Sequence, residues 1–321
     1  MALKSNNLIK ACCVSAAAVM IIISGSSLAL GVRGGAGGGP KARYDSAAAV
    51  VPIVVVQARK GGKIKDAGDF KVVYKSTKKY AEMEAIIKDS KMFDEVAAGL
   101  NETFALPIDL PIVFTECGEE NAYYDPDKGE IRMCYELLQQ FLEMFAKELK
   151  DSDRAGEAFA GATAFVFFHE LGHALIHIYE LPVTGKEEDA VDQLATLVLT
   201  SAGDIGEKAA LDGASSFVLA EDHKNLKAGD LPFWDEHSLG EQRFYGILCW
   251  VYGEDEKKFA SLVKNGSLPK ERAERCAEEY QQLSRSWNKL LDPYLKEEDF
   301  GQKRTRSGSA AAKIVNLRVG A

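Results

Sequence analysis

Phe165-Val166-Phe167-Phe168-His169-Glu170-Leu171-Gly172-His173-Ala174-Leu175-Ile176-His177 is the stretch of this 321-residue chain whose reading decides the rest. It sets a His-Glu-x-x-His box inside a strongly apolar run that reads as a helix. Histidines four residues apart stand one turn apart on the same helical face, and from there two neutral imidazoles can hold one Zn²⁺. Glu170, next to the first of them, is placed to act on a water as general base. Glutamate and histidine in so apolar a run would otherwise be desolvated without a partner. A bound metal removes that objection. The bland alternative is a chance box on an amphipathic helix whose histidines are satisfied in the core.

A catalytic zinc site takes three protein ligands and keeps a fourth position open. The metzincin pattern would put a third histidine six residues beyond His173, but that position is Tyr179, which excludes the class. Fourteen residues after His173, the run Glu187-Glu188-Asp189-Ala190-Val191-Asp192-Gln193-Leu194-Ala195 opens a second predicted helix with the ExxxD pattern of gluzincins at Glu188 and Asp192. These two carboxylates lie one turn apart. One can reach the metal while the other accepts a hydrogen bond from a ligating imidazole and fixes its tautomer. Glu188 is the expected third ligand, with Asp189 and Asp192 as the alternatives. An acidic first turn favoured by the helix dipole explains Glu187. It does not explain carboxylates continuing into a face flanked by Ala190, Val191, Leu194 and Ala195.

Composition sets the outer bounds. The chain is 46% hydrophobic and 27% charged, which suits a folded protein with a sizeable core. A net charge of -9 excludes a general nucleic-acid binder, whose affinity rests on clustered Lys and Arg. Lys4 and Lys10, the apolar run from 11 to 23 and Ser27-Leu28-Ala29 read as a signal peptide over residues 1–29. The mature protein is therefore expected to be exported, periplasmic or secreted. The alternative is an uncleaved membrane anchor, for which the apolar run is shorter than the ~20 residues of a full span. Signal removal leaves Cys117, Cys134, Cys249 and Cys276, an even number in a compartment that permits disulfides. Proximity in sequence suggests Cys117 with Cys134 and Cys249 with Cys276, although four cysteines formally allow three pairings.

Residues 30–65 read as a Gly-rich arm, 66–300 as the functional domain and 301–321 as a basic tail outside the core. Strands are expected at 70–74 and 110–116, helical spacing runs from 80 to 104, and 122–124 with 130–134 form a hairpin around Asp125-Pro126-Asp127-Lys128-Gly129. From Tyr135 the pattern is helical nearly to the end. Turns are expected at 181–182, 203–204, 229–232, Gly253 and 266–269.

At this point the sequence resembles the bacterial putative metallopeptidase family, a gluzincin-like group. The segments that carry the resemblance are 121–126, 131–137, the HELGH box at 169–173, 187–195 and Asp235-Glu236-His237-Ser238-Leu239-Gly240-Glu241-Gln242-Arg243-Phe244-Tyr245. The resemblance covers about residues 70–294. It implies an α+β, zincin-like fold, with a small mixed sheet plus helices in a front lobe and a mainly helical rear lobe that supplies Glu188. It also implies a zinc metallopeptidase acting on peptide or protein substrates, with Zn²⁺ on His169, His173 and Glu188. Glu170 then takes the proton of the attacking water and passes it to the leaving amine. His237, from the rear lobe, is the candidate for stabilising the oxyanion, the alternative being an ordinary helix-start histidine beside Asp235. Arg243 and Tyr245 are weaker candidates, read as packing and salt-bridge residues. His177 is read as packing or as a neighbour of the ligands, and His223 has no argued role. By analogy, the hairpin is the edge against which an extended peptide aligns. The rivals are a non-catalytic, metal-stabilised binding protein and a hydrolase of a non-peptide, cell-wall amide.

Overall fold

The computed structural model describes residues 64–220 and 231–296. The expected signal segment, nearly all of the Gly-rich arm, His223 and the basic tail lie outside the described residues. What is described is α+β: one small mixed sheet followed by helices.

Four strands form the sheet: β1 (Phe70–Tyr74), β2 (Leu110–Thr115), β3 (Ala122–Asp125) and β4 (Glu130–Cys134), in the order β1-β2-β4-β3. β1 and β4 flank β2 in parallel, and β3 pairs antiparallel with β4 at the edge. The hairpin follows from local chemistry. Asp125 accepts from the Lys128 amide, and Gly129 takes a φ of 63° that glycine adopts without steric cost.

The helical stretch before β2 is two helices rather than one, α1 (Ala81–Ser90) and α2 (Met92–Thr103). The break has a side-chain cause. The Ser90 hydroxyl donates to the Ile87 carbonyl and accepts from the Met92 amide, taking over helical bonds while Lys91 turns left-handed at φ 59°.

After the sheet come α3 (Tyr135–Glu148), α4 (Ser152–Tyr179), α5 (Glu187–Ser201), α6 (Asp204–Ala220), α7 (Gly240–Glu254), α8 (Ala260–Lys264), α9 (Lys270–Ala273) and α10 (Cys276–Leu291). α4 is the axis. Its N-terminus is capped by Asp151, which accepts from the amides of Asp153 and Arg154. It is apolar on all sides because it is buried on all sides. By length and composition it could cross a membrane, but 89% of its most apolar window is buried within the protein, so core packing accounts for the composition. A chain of aromatic contacts joins it to the sheet: Phe167 packs edge-on against Phe93 of α2, and Phe93 against Phe114 of β2, with centroids 5.3 and 4.8 Å apart.

Disulfides join Cys117 to Cys134 and Cys249 to Cys276. The first ties the loop after β2 to the end of β4, and buried Glu136 of α3 supports it by accepting from the Cys117 and Gly118 amides. The second staples α7 to α10. Gly253 is no turn but a buried residue within α7. A Cβ there would meet the Cys276 carbonyl oxygen at 2.2 Å, so glycine is what lets the two helices approach to backbone contact.

Replacing Cys249 and Cys276 with serine should lower unfolding free energy by about 2–4 kcal/mol, read as a shift in the urea midpoint of metal-free protein. An unmoved midpoint would mean that α7 and α10 are held by packing alone.

Candidate metal centre

Helix periodicity places His169, Glu170 and His173 of α4 opposite Glu187, Glu188 and Asp192 of α5. The separation of the two helices is set at Gly172. A Cβ there would lie 2.7 Å from Cγ1 of Val191, so α5 packs almost on the backbone of α4. Glu188, one turn before Val191, is thereby brought to the two histidines.

Glu188 is where the site converges. His169 Nε2 lies 3.1 Å from its Oε2 and His173 Nε2 3.3 Å from its Oε1. His237 Nε2, from the segment before α7, lies 3.1 Å from the same Oε2 as His169. On the far side of each ring, Nδ1 is engaged by a different carboxylate: Asp192 for His169 at 2.8 Å, Glu187 for His173 at 2.8 Å and Asp235 for His237 at 3.1 Å. Three carboxylate-held imidazoles thus turn the other nitrogen toward one carboxylate. Donor atoms of His169, Glu188 and His237 all lie within 4.8 Å of one another, a group able to hold a metal ion.

The donor chemistry fits a divalent cation. With every Nδ1 carrying its proton toward a carboxylate, a bond from each Nε2 to Glu188 requires three adjacent imidazolium ions, which repel one another. One divalent ion in their midst replaces those protons and that repulsion. The electrostatics point the same way. Burial opposes charge on His173, yet Glu188 and Glu187 lift its pKa to about 9, and the imidazoles hold Glu188 well below the usual carboxylate range despite burial.

Glu170 stands apart from this convergence. It is buried, and burial raises its pKa against the opposing pull of His169 and His173. Its Oε2 accepts from the Tyr124 amide of β3 at 2.9 Å. Edge strand β3 therefore lies against the box helix, and its Tyr124 hydroxyl also bonds His177 Nδ1 at 2.8 Å.

Asp192 is buried, and burial alone would raise its pKa, but Arg243 and His169 hold it at about 2. Arg243 donates from Nε and a terminal nitrogen to the two Asp192 oxygens at 2.8 and 2.7 Å, and its guanidinium sits 3.5 Å from the Phe217 ring centroid. Four roles were not legible in the sequence. Arg243, expected as a packing and salt-bridge residue, has the buried Asp192 as the partner the sequence could not name, and Glu187 reaches His173 where a solvated first turn was enough to explain it. Asp235 orients His237, and Gly172 sets the helix spacing. The ExxxD spacing signalled Asp192, but an arginine 51 residues further on had no signal of its own. Tyr179 faces away from the site, stacked on Tyr294 with its hydroxyl on the Ala105 carbonyl.

Arg243→Met should destabilise metal-free protein by about 3–5 kcal/mol, because it removes the guanidinium that answers the buried Asp192 and leaves that charge to the His169 imidazole alone. Adding Asp192→Asn should recover much of that loss. Equal instability of the single and double variants in urea titrations would show that packing of Arg243, not charge, is what matters.

Residues 73–291 match the family described as putative metallopeptidase. No curated protein and no solved structure matches the chain. The match spans well over half of the 321 residues and takes in the whole converging site, and the chain belongs to this metallopeptidase family.

Proposed function

We propose that this protein is a zinc peptidase of the gluzincin type, exported from the cytoplasm, in which His169, His173 and Glu188 hold the ion and Glu170 is the general base. One observation carries the reading. Glu188 gathers the Nε2 atoms of both box histidines, while Glu170, between them in sequence, is turned instead to the amide of an edge strand. Zinc suits a set of imidazole nitrogens and one carboxylate. When bound there it would polarise a carbonyl and lower the pKa of a water.

The residues of the chain supply the rest. Glu170, with its carboxyl pushed up by burial, accepts a proton more readily than an exposed carboxylate does. It takes one proton from the attacking water as the new carbon–oxygen bond forms. It returns that proton to the amide nitrogen as the carbon–nitrogen bond breaks. The Tyr124 N–H orients its carboxylate for both transfers. β3, at the sheet edge and touching Glu170, can align an extended peptide through main-chain bonds. His237 brings a third imidazole to the place where negative charge develops. Two disulfides among the described residues suit an oxidising compartment outside the cytoplasm.

Glu170→Gln should retain zinc stoichiometry and stability while removing most cleavage of a proteome-derived peptide library. Wild-type turnover in that variant would exclude Glu170 as the base. Wild-type protein that binds zinc and cleaves no peptide would favour the binding-protein or cell-wall amidase rivals. Glu188→Ala should weaken zinc binding more than Asp192→Ala, for which a 10- to 100-fold loss is expected from freeing a ligating ring. The reverse order, measured by competition with a chromophoric chelator, would place the ligand one helical turn further along.

A further inference from the structure

We propose that His237 is a fourth protein ligand, so that the resting metal site is closed by four protein donors and opens when this one imidazole leaves. The inference rests on the metal-site reading above and goes beyond it, since His237 there served only the oxyanion.

The first ground is geometric. In a tetrahedral zinc site with donors at 2.0–2.1 Å, adjacent donor atoms are separated by about 3.3 Å. The contacts of Glu188 with His169, His173 and His237 are 3.1, 3.3 and 3.1 Å, so all three have the length of such an edge. His169 and His237 approach the same oxygen while His173 meets the other, and donor atoms of His169, Glu188 and His237 all lie within 4.8 Å of one another.

The second ground is how the ring is held. Metal-ligating histidines usually give their other nitrogen to a carboxylate or carbonyl. Asp235 Oδ1 does this for His237, accepting from its Nδ1 at 3.1 Å and from its backbone amide at 2.8 Å. This repeats what Asp192 does for His169 and Glu187 for His173. The segment is tied to the front of α5 as well. Lys186 Nζ donates to the Asp235 and His237 carbonyls at 3.2 and 3.5 Å, and the Ser238 hydroxyl donates to Asp189 at 2.8 Å.

The third ground concerns which ligand can leave. His169 and His173 are part of helix α4, with side chains 6% and 17% exposed, whereas the His237 side chain is 45% exposed and precedes its helix. Releasing His237 breaks its contacts with the exposed Asp235 and with Glu188 at the rim of the site. Releasing either of the others would disturb the core. A site closed by four protein donors would be inert toward water and substrate, and the leaving of His237 would open one position on a bound ion. The released imidazole stays beside the site on its Asp235 tether.

The test uses the mature protein loaded with Co²⁺, whose visible bands report donor type and number. Two variants, His237→Ala and Asp235→Asn, are compared with the wild type. We expect His237→Ala to lower metal affinity at least about 100-fold and Asp235→Asn about 10- to 100-fold. We also expect shifted Co²⁺ bands in His237→Ala that added imidazole restores. Azide should perturb the spectrum of His237→Ala at far lower concentration than that of wild type. Circular dichroism of the metal-free variants checks their folding, and Asp235→Asn keeps the test open if His237→Ala does not fold. Affinity within twofold of wild type and an unshifted spectrum in His237→Ala would overturn the assignment. None of these readouts needs peptide cleavage. A His237-dependent metal site in a protein that cleaves nothing would uphold this ligand set while refuting the peptidase reading.

Discussion

The close contact between α4 and α5 at Gly172 is the constraint on which the rest of the structure depends. Any side chain at that position would collide with Val191, and the two helices would have to separate. Interiors are packed too densely to absorb such a shift locally. With the contact in place, Glu188 stands one turn before Val191 and faces both histidines of the box. The small residue inside HELGH is thus a spacer between two sets of polar side chains, and it acts by what it lacks. The same device recurs in the rear of the molecule. A Cβ on Gly213 of α6 would lie 2.4 Å from Phe165 of α4, and Gly253 brings α7 against α10. Helices drawn this close hold the apolar flanks of the box away from water, so only its polar face is left for a ligand.

Bringing so many charged groups into one place is costly unless each is answered. Among the described residues no buried side-chain nitrogen or oxygen is left without a partner. Asp192 shows how this is arranged. Its Oδ1 meets both His169 Nδ1 and a terminal nitrogen of Arg243, and Arg243 in turn lies over the face of Phe217. The resulting line from α6 through α7 to α5 and α4 fixes the plane of the His169 ring by electrostatics rather than by shape. Arginine is suited to this place because its planar fork matches both carboxylate oxygens at once. Glu170 is left outside that line. Burial raises its affinity for a proton, against the pull of His169 and His173 and of the Tyr124 backbone N–H that bonds it.

The sheet serves the same centre from the opposite side. Among the described residues it has four strands, and its order leaves β3 at the edge beside α4. The Cys117–Cys134 bond and Glu136 fix the loop after β2 and the end of β4, and β4 carries β3 in register through four residue pairs. The position of Tyr124 against Glu170 therefore follows from covalent and ladder constraints some way off. Small cores gain most from such staples, because the bond acts chiefly by restricting the unfolded chain.

Much of this was legible in the sequence because the signals are local. The period of residues 165–177 fixes which side of α4 carries His169 and His173, the ExxxD spacing fixes Glu188 and Asp192 one turn apart, and Asp125 to Gly129 dictates a hairpin. The strand positions followed from the same short-range patterns, and the α+β class is the one the family resemblance implies. Where local chemistry was subtler, the pattern misled. Ser90 splits a continuous helical period by bonding backbone groups on both sides of Lys91, and Gly253 reads as punctuation although it lies inside a helix. Tertiary structure alone decided what depends on contacts between distant segments. It joined Arg243 to Asp192 across 51 residues, Tyr124 to Glu170 across 46, and His237 to the carboxylate that also meets His169 and His173. Periodicity records which way a side chain faces along its own element. It holds no record of which element will face it, and that is settled only when buried surfaces compete for the same neighbours.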